Sequence, residues 1–298
     1  MIKNPDLSQT LRSLIGVQPP SALVPADGAV LAVSRSGKGV PVICLHATGH
    51  GGRDYEGFAA AIAPLGYEVI AVDWPGHGSS PAETTGRTAS AERYAALLDD
   101  LIPALCGDER PILLGNSIGG AAALSFALRH PGKVRGLVLC NPGGLAPPSA
   151  LTRAVIAGMV GFFAAGERGA GWFARSFAAY YRLVLSGKRA ALQRARIIAA
   201  GPEMASLLKQ AWDSFRQPEA DLRKASTGLA VPVLFAWARH DQIVAWRFAK
   251  QAVRRIPGAE VQMFQGGHSA FLEDPEAFNA AFHGFVLGIG AGVPGPQN

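Results

Sequence analysis

Six short runs rich in Val, Ile and Leu, each bounded by Gly, Pro or Asp, recur along the chain at 42–45, 68–72, 112–114, 137–139, 233–237 and 261–264. Continuous apolarity over so few residues leaves no polar face, so these runs read as parallel strands covered on both sides. Segments with helical periodicity lie between them, at 54–65, 90–105, 118–129, 245–255 and 275–287, and Leu97, Leu98, Leu101 and Leu105 form one such stripe. This alternation specifies an α/β fold with a doubly wound, mostly parallel sheet. Residues 29–34 alternate ahead of Gly37 and are expected to add an antiparallel strand at the start of the sheet.

The alternation breaks between Pro147 and Ala225, where 79 residues of helical composition intervene before the next strand. We expect an inserted helical cap at 147–225, a core built from 1–146 and 226–287, and a disordered tail at 288–298, where Gly and Pro crowd together. The insert carries nine of the chain's 24 aromatic residues, enough for a small core of its own or for the lining of an apolar pocket. It also carries twelve Lys or Arg against five Asp or Glu, a balance of +7 in a chain whose total is +6. Nucleic-acid binding would want that charge on a helix-turn-helix or a stacking platform, and neither pattern is present, so no nucleic-acid partner is expected.

Residues 1–18 lack a continuous apolar stretch, which argues against a secretory signal and for a cytoplasmic address. The longest apolar run, 154–166, is 13 residues, short of the roughly 20 needed to span a bilayer, so no stable membrane insertion is expected. Three cysteines, Cys44, Cys106 and Cys140, are an odd number, two of them in expected strands, and read as reduced thiols. Oligomeric state leaves no signature.

The segment Gly115-Asn116-Ser117-Ile118-Gly119-Gly120 directly follows an expected strand and opens an expected helix. A serine at such a turn presents its hydroxyl from a strained backbone, and strand and helix pass so close that only small residues fit two positions to either side. Ser117 is therefore the expected nucleophile, with the amides of the following helix aimed at developing negative charge. A serine hydroxyl needs a base held by a third group. His268, after the last strand and behind Gly266-Gly267, is the expected base. Asp241, just past the strand at 233–237, is its expected orienter, and the order Ser, Asp, His suits this architecture. Asp73 is the rival acid, though its place in Asp73-Trp74-Pro75-Gly76-His77-Gly78 suits tying down its own turn. His46, His50 and His77 lack an acidic partner set, so neither metal nor other cofactor is expected.

From about Gly28 to Leu287 the chain resembles the α/β-hydrolase fold superfamily, through His46-Ala47-Thr48-Gly49, the turn at 73–80, the elbow at Ser117, and the Asp241 and His268 loops. The resemblance implies an oxyanion hole from the backbone amides of Thr48 and Ile118; Ala47 stands where the family usually has glycine. Gly115 to Gly120 with Pro142-Gly143-Gly144-Leu145 is similar to the meta-cleavage-product hydrolases, which split carbon–carbon bonds, and that likeness would give substrate-binding roles to Asn116, Arg194 and Arg196. Against it, Ser269 stands where those enzymes usually carry tryptophan. No aspartate occupies position 117, which disfavours epoxide and haloalkane chemistry. The implied activity is hydrolysis of a partly apolar, small-molecule carboxylic ester. Carbon–carbon hydrolysis and a ligand receptor or scaffold that merely keeps the triad remain as alternatives.

Overall fold

The computed structural model describes residues 22–291, so the reading of 1–18 and that of the tail at 292–298 lie outside the described residues. Eight strands form one sheet: β1 (Ala22–Ala26), β2 (Ala29–Gly37), β3 (Val40–Leu45), β4 (Tyr67–Val72), β5 (Ile112–Asn116), β6 (Gly136–Cys140), β7 (Val233–Ala238) and β8 (Glu260–Phe264). Their order is β1-β2-β4-β3-β5-β6-β7-β8, antiparallel at β1/β2 and β2/β4 and parallel from β4 onward. All six expected parallel strands are present, each lengthened by a residue or two or matching at one end.

The alternation of strand side chains divides the core into two layers. Ile43, Leu45 and Leu113 face one way, against helices α2 (Ala91–Cys106), α3 (Ile118–Arg129) and α7 (Trp246–Val253). Val42, Cys44, Ile112 and Leu114 face the other way, against α1 (Glu56–Ile62), the short α8 (Ala270–Glu273) and α9 (Pro275–Ala291). Side chains buried on both faces explain why β3 to β7 read as unbroken apolar runs. Strand β8 departs from the expectation of cover on both sides: it is an edge strand whose Glu260, Val261 and Gln262 are exposed. The Leu stripe of α2 is wholly in the core, and the helix starts where the Ser90 hydroxyl accepts the Arg93 N–H at 2.9 Å. The last helix runs to Ala291, four residues into the segment expected to be a disordered tail; helical Gly288 and Gly290 extend an apolar helix that packs on β6 through Ile289.

Between β6 and β7 lie three further helices, α4 (Ala150–Glu167), α5 (Phe173–Val184) and α6 (Ala191–Ser214). They share a separate hydrophobic cluster in which Phe163, Phe173, Phe177 and Tyr181 are buried. Four of the nine aromatics thus build this small core, whereas Trp172 is 52% exposed. Helix α4 is longer than the apolar run at 154–166 because it takes in the turn before it, and at 18 residues it is long and apolar enough, by length and composition, to cross a membrane. Here it packs along α6 as part of the insert.

Candidate active site

Ser117 stands between β5 and α3 at φ 55 and ψ −116, a left-handed conformation that costs a non-glycine residue about 1–3 kcal/mol. Its neighbours hold it there: Ser117 N–H donates to the Cys140 carbonyl at 3.0 Å, and its own carbonyl accepts from Ala121 at 3.0 Å and Gly143 at 3.1 Å. A Cβ on Gly119 would lie 2.3 Å from the Leu45 carbonyl oxygen, and one on Gly115 would lie 2.6 Å from that of Gly119. The glycines are thus demanded by backbone contact between β3, β5 and α3. The half-buried Ser117 hydroxyl takes part in no hydrogen bond among the described residues.

His268 lies in the loop after β8 and Asp241 in the loop after β7, both buried. The Asp241 carboxylate accepts four hydrogen bonds. His268 Nδ1 (2.8 Å) and Asn141 Nδ2 (2.5 Å) donate to Oδ2, and the Ile243 and Val244 amides donate to Oδ1 at 2.7 and 3.0 Å. A carboxylate only accepts, so Nδ1 of His268 carries the proton and Nε2 is left with its lone pair. Burial pulls the His268 pKa down, but the charge and hydrogen bond of Asp241, with Glu273 behind it, more than offset this, and the net shift is upward from 6.5.

Two supporting residues carry no local sequence signal. Asn141 adopts φ 44, and besides its bond to Asp241 it accepts the Ala238 N–H at 3.0 Å, fixing the end of β7. Glu273, at the end of α8, accepts the amides of Gly267 (2.8 Å), His268 (3.1 Å) and Ser269 (3.4 Å) on one oxygen, and that of Gly187 in the insert (2.6 Å) on the other. The loop that carries His268 is therefore clamped by a buried carboxylate, and the insert is tied to the same clamp.

Asn116, expected on resemblance to contact substrate, is fully buried, and its amide is occupied. Nδ2 donates to the Cys140 and His268 carbonyls, both at 3.0 Å, and Oδ1 accepts the Ser269 hydroxyl at 2.8 Å. It links the strand before Ser117 to the His268 loop. Asp73 is also occupied. It accepts Gly52 N–H at 2.7 Å and Ser79 N–H at 2.9 Å, and so ties down its own turn.

The loop after β3 lies beside that turn and is held by two neutral histidines. His46 Nδ1 donates to the Ala47 carbonyl at 2.7 Å while Nε2 accepts the Trp74 N–H at 3.0 Å. His77 Nδ1 donates to the Pro75 carbonyl at 3.1 Å while Nε2 accepts the Gly49 N–H at 3.2 Å. Burial depresses both histidines to about 3, so each keeps the tautomer its bonds require. Thr48 sits between these anchors, with its carbonyl accepting the Tyr181 hydroxyl at 3.3 Å. Ile118 opens α3, whose first N–H groups have no partner within the helix. His50 pairs with Asp54, and Asp54 in turn accepts Gln193 of the insert. Among the described residues no group of three or more His, Cys, Asp or Glu side chains is placed to hold a metal ion.

Arg194 and Arg196, the two insert arginines singled out by the resemblance, are engaged by protein groups. Arg194 Nη1 donates to the carbonyls of Leu185 and Gly187, and Arg196 donates to Gln193 at 3.3 Å with Glu56 at 3.8 Å. These bonds hold Arg194 within the insert and tie Arg196 both to Gln193 and to α1.

The comparisons with known proteins agree with this layout. A family model described as alpha/beta hydrolase fold matches residues 40–275. A pimeloyl-[acyl-carrier protein] methyl ester esterase of Neisseria meningitidis serogroup A is 33% identical over 245 residues, spanning 76% of this chain and 70% of that protein. A 2-hydroxy-6-oxo-6-phenylhexa-2,4-dienoate hydrolase of Comamonas testosteroni is 36% identical over 118 residues, 38% of this chain and 40% of that one. Among solved structures, an esterase from Exiguobacterium antarcticum superposes with a TM-score of 0.77 at 22% identity, covering 91% of this chain and 100% of that one. A thermophilic esterase from Thermogutta terrifontis gives 0.74 at 21% identity, covering 90% and 99%. At such identities the structural likeness speaks for the fold, and the family model and the Neisseria relative speak for descent: the chain belongs to the alpha/beta hydrolase fold family.

Proposed function

We propose that the protein hydrolyses a small-molecule carboxylic ester through Ser117, His268 and Asp241, with the helical insert acting as a cap over the site. The observation that carries this reading is the 2.8 Å bond from His268 Nδ1 to a fully bonded, buried Asp241, on a loop that Asn116 joins to the Ser117 elbow. In the proposed reaction His268 Nε2 takes the proton from Ser117 Oγ as Oγ attacks the ester carbonyl carbon. The developing oxyanion is received by the N–H groups of Thr48 and Ile118, with the N-terminus of α3 adding its dipole. Collapse expels the alcohol, which takes the proton from His268. Water, activated by the same histidine, then frees the acid from Ser117, and no cofactor is required.

The acyl part is expected to be apolar, because the side chains offered by the insert next to the loops are chiefly aromatic and aliphatic, Tyr181 and Leu208 lying against Gly49. Occupation of Arg194 and Arg196 by protein groups favours a neutral ester over an acidic dienone. The Neisseria relative, named for a methyl ester on a carrier-linked acyl chain, makes a methyl ester the first substrate to try. The test is a panel of p-nitrophenyl esters of increasing acyl length and methyl esters of the same acids, run beside a meta-cleavage dienone acid. Saturable turnover of neutral esters with a chain-length optimum supports the reading. Turnover of the dienone alone would reassign the protein to carbon–carbon hydrolysis, and turnover of nothing in the panel would favour a receptor or scaffold.

A further inference from the structure

Helix α4 is apolar enough for an interior position, yet only Ile156, Phe163, Ala165 and Gly166 of its 18 residues are buried. Leu151 and Val155, one turn apart on its outer side, are 62% and 51% exposed. At the foot of α4 lies a groove of about 460 Å³ lined by Pro147, Arg247, Phe248, Lys250, Arg254 and Arg255, with no acidic side chain in its wall. The groove edge and the first turn of α4 form one unit: Thr152 Oγ1 donates to the Pro147 carbonyl at 2.8 Å and Arg153 Nη1 to the Pro148 carbonyl at 2.6 Å. Phe248 is 40% exposed, with the Arg247 guanidinium 4.7 Å from its ring centre. Among the described residues Arg247, Lys250, Arg254 and Arg255 pair with no carboxylate.

Four unpaired cations gathered in one groove repel one another, an arrangement that costs stability unless a polyanion meets it. Exposed Phe248 beside them, and exposed Leu151 and Val155 on the first turns of the helix that follows Pro147, add apolar surface that a soluble anion would leave in water. A second copy of this chain is a poor occupant, because a two-fold contact would set the same cations against each other. We propose that the outer side of α4 together with the α7 groove docks on an anionic lipid bilayer. The cations would lie at the headgroup phosphates, and Leu151, Val155 and Phe248 would enter the outer edge of the acyl region, as in interfacial helices. The polypeptide is adsorbed in this arrangement; α4 stays packed on α6 and does not span.

The test is flotation of the full chain with phosphatidylcholine vesicles, with and without 30% phosphatidylglycerol. The expected result is binding to the anionic vesicles only, weakening as ionic strength rises from 0.1 to 1 M and the screening length falls from about 10 to about 3 Å. Lys250→Gln with Arg254→Gln should weaken binding about 25-fold, at about fivefold per cation. Leu151→Glu with Val155→Glu should abolish it, while hydrolysis of a soluble ester stays at the wild-type rate in both variants and so reports intact folding. Equal binding to neutral vesicles, no binding to anionic ones, or variants that bind like wild type would overturn the proposal. So would vesicle binding abolished by 10 mM inorganic phosphate at constant ionic strength, which marks a soluble-anion site. A wild-type dimer in sedimentation velocity that Leu151→Glu converts to monomer would instead assign the face to a second copy.

Discussion

Among the described residues His268 makes one ring hydrogen bond, to a carboxylate that itself accepts three more, and this asymmetry sets its acid–base behaviour. The histidine must be neutral to take the serine proton, and its pKa is raised from 6.5, so kcat/KM should fall as pH drops through a value above 6.5. Glu273→Gln removes one of the charges that raise it and should move that limb to lower pH, with KM little changed. A pH–rate profile of both proteins checks this, and a wild-type limb below 6.5 would contradict it. Asp241→Asn should lower kcat by about 10⁴-fold, since an amide cannot hold the required tautomer, whereas Asp73→Asn should cost stability and less than about tenfold in kcat. The positions of Ser117, Asp241 and His268 at strand exits were legible from the turn-forming residues beside them, and the glycines around Ser117 answer to a steric need of the strand-to-helix turn. Asn141 was not legible, because it meets Asp241 across 100 residues of chain; Glu273 meets Gly267, His268 and Ser269 only four to six residues away, and what was hidden is its bond to Gly187 across 86. The bonds of Asn116 were hidden for the same reason: nothing local says that its amide is already filled.

At the scale of elements, the parallel strands β3 to β7 were legible since two covered faces demand unbroken apolar runs, whereas β8, at the edge, is mostly exposed. Strand β1 was missed: it is a mostly exposed edge strand containing Pro25, and its one signal is the Asp27-Gly28 pair, whose positive φ angles of 40 and 77 close a two-residue hairpin. The loops at the sheet's carboxyl edge depend on His46 and His77 staying neutral. Their folded values of about 3 lie below the ordinary 6.5, so the unfolded chain binds more protons across that interval. Stability from these groups is therefore full above about 6.5 and is lost as pH falls toward about 3. His77→Asn should lower Tm at pH 7 but lose less further stability between pH 7 and 4.5 than wild type; equal losses in thermal melts would count against this role. Asn116→Leu leaves the His268 carbonyl and the Ser269 hydroxyl unpaired in the core, at about 1–3 kcal/mol each, while the Cys140 carbonyl keeps the Ser117 N–H. Chemical denaturation should show a loss of several kcal/mol.

Across the whole molecule, the insert meets the core at the loops that carry the proposed chemistry: Tyr181 on Thr48, Gln193 on Asp54, and Gly187 on Glu273. Its presence was legible from the break in alternation and from its share of aromatics. Its packing was not, since helix composition does not say which face turns inward. Because Arg194 braces this junction, Arg194→Gln should lower turnover of acidic and neutral substrates alike, by less than about tenfold; a loss confined to acidic substrates would support the carboxylate-binding role and the carbon–carbon reading. The central claim is that one hydroxyl, at Ser117, forms the covalent intermediate. Intact-mass and peptide-level mass spectrometry after treatment with a fluorophosphonate tests it most directly. The expected result is a single adduct on Ser117 appearing in step with loss of esterase activity, and neither adduct nor activity in a folded Ser117→Ala variant. An adduct on another residue, or a Ser117→Ala protein that keeps more than a tenth of wild-type activity, would contradict it.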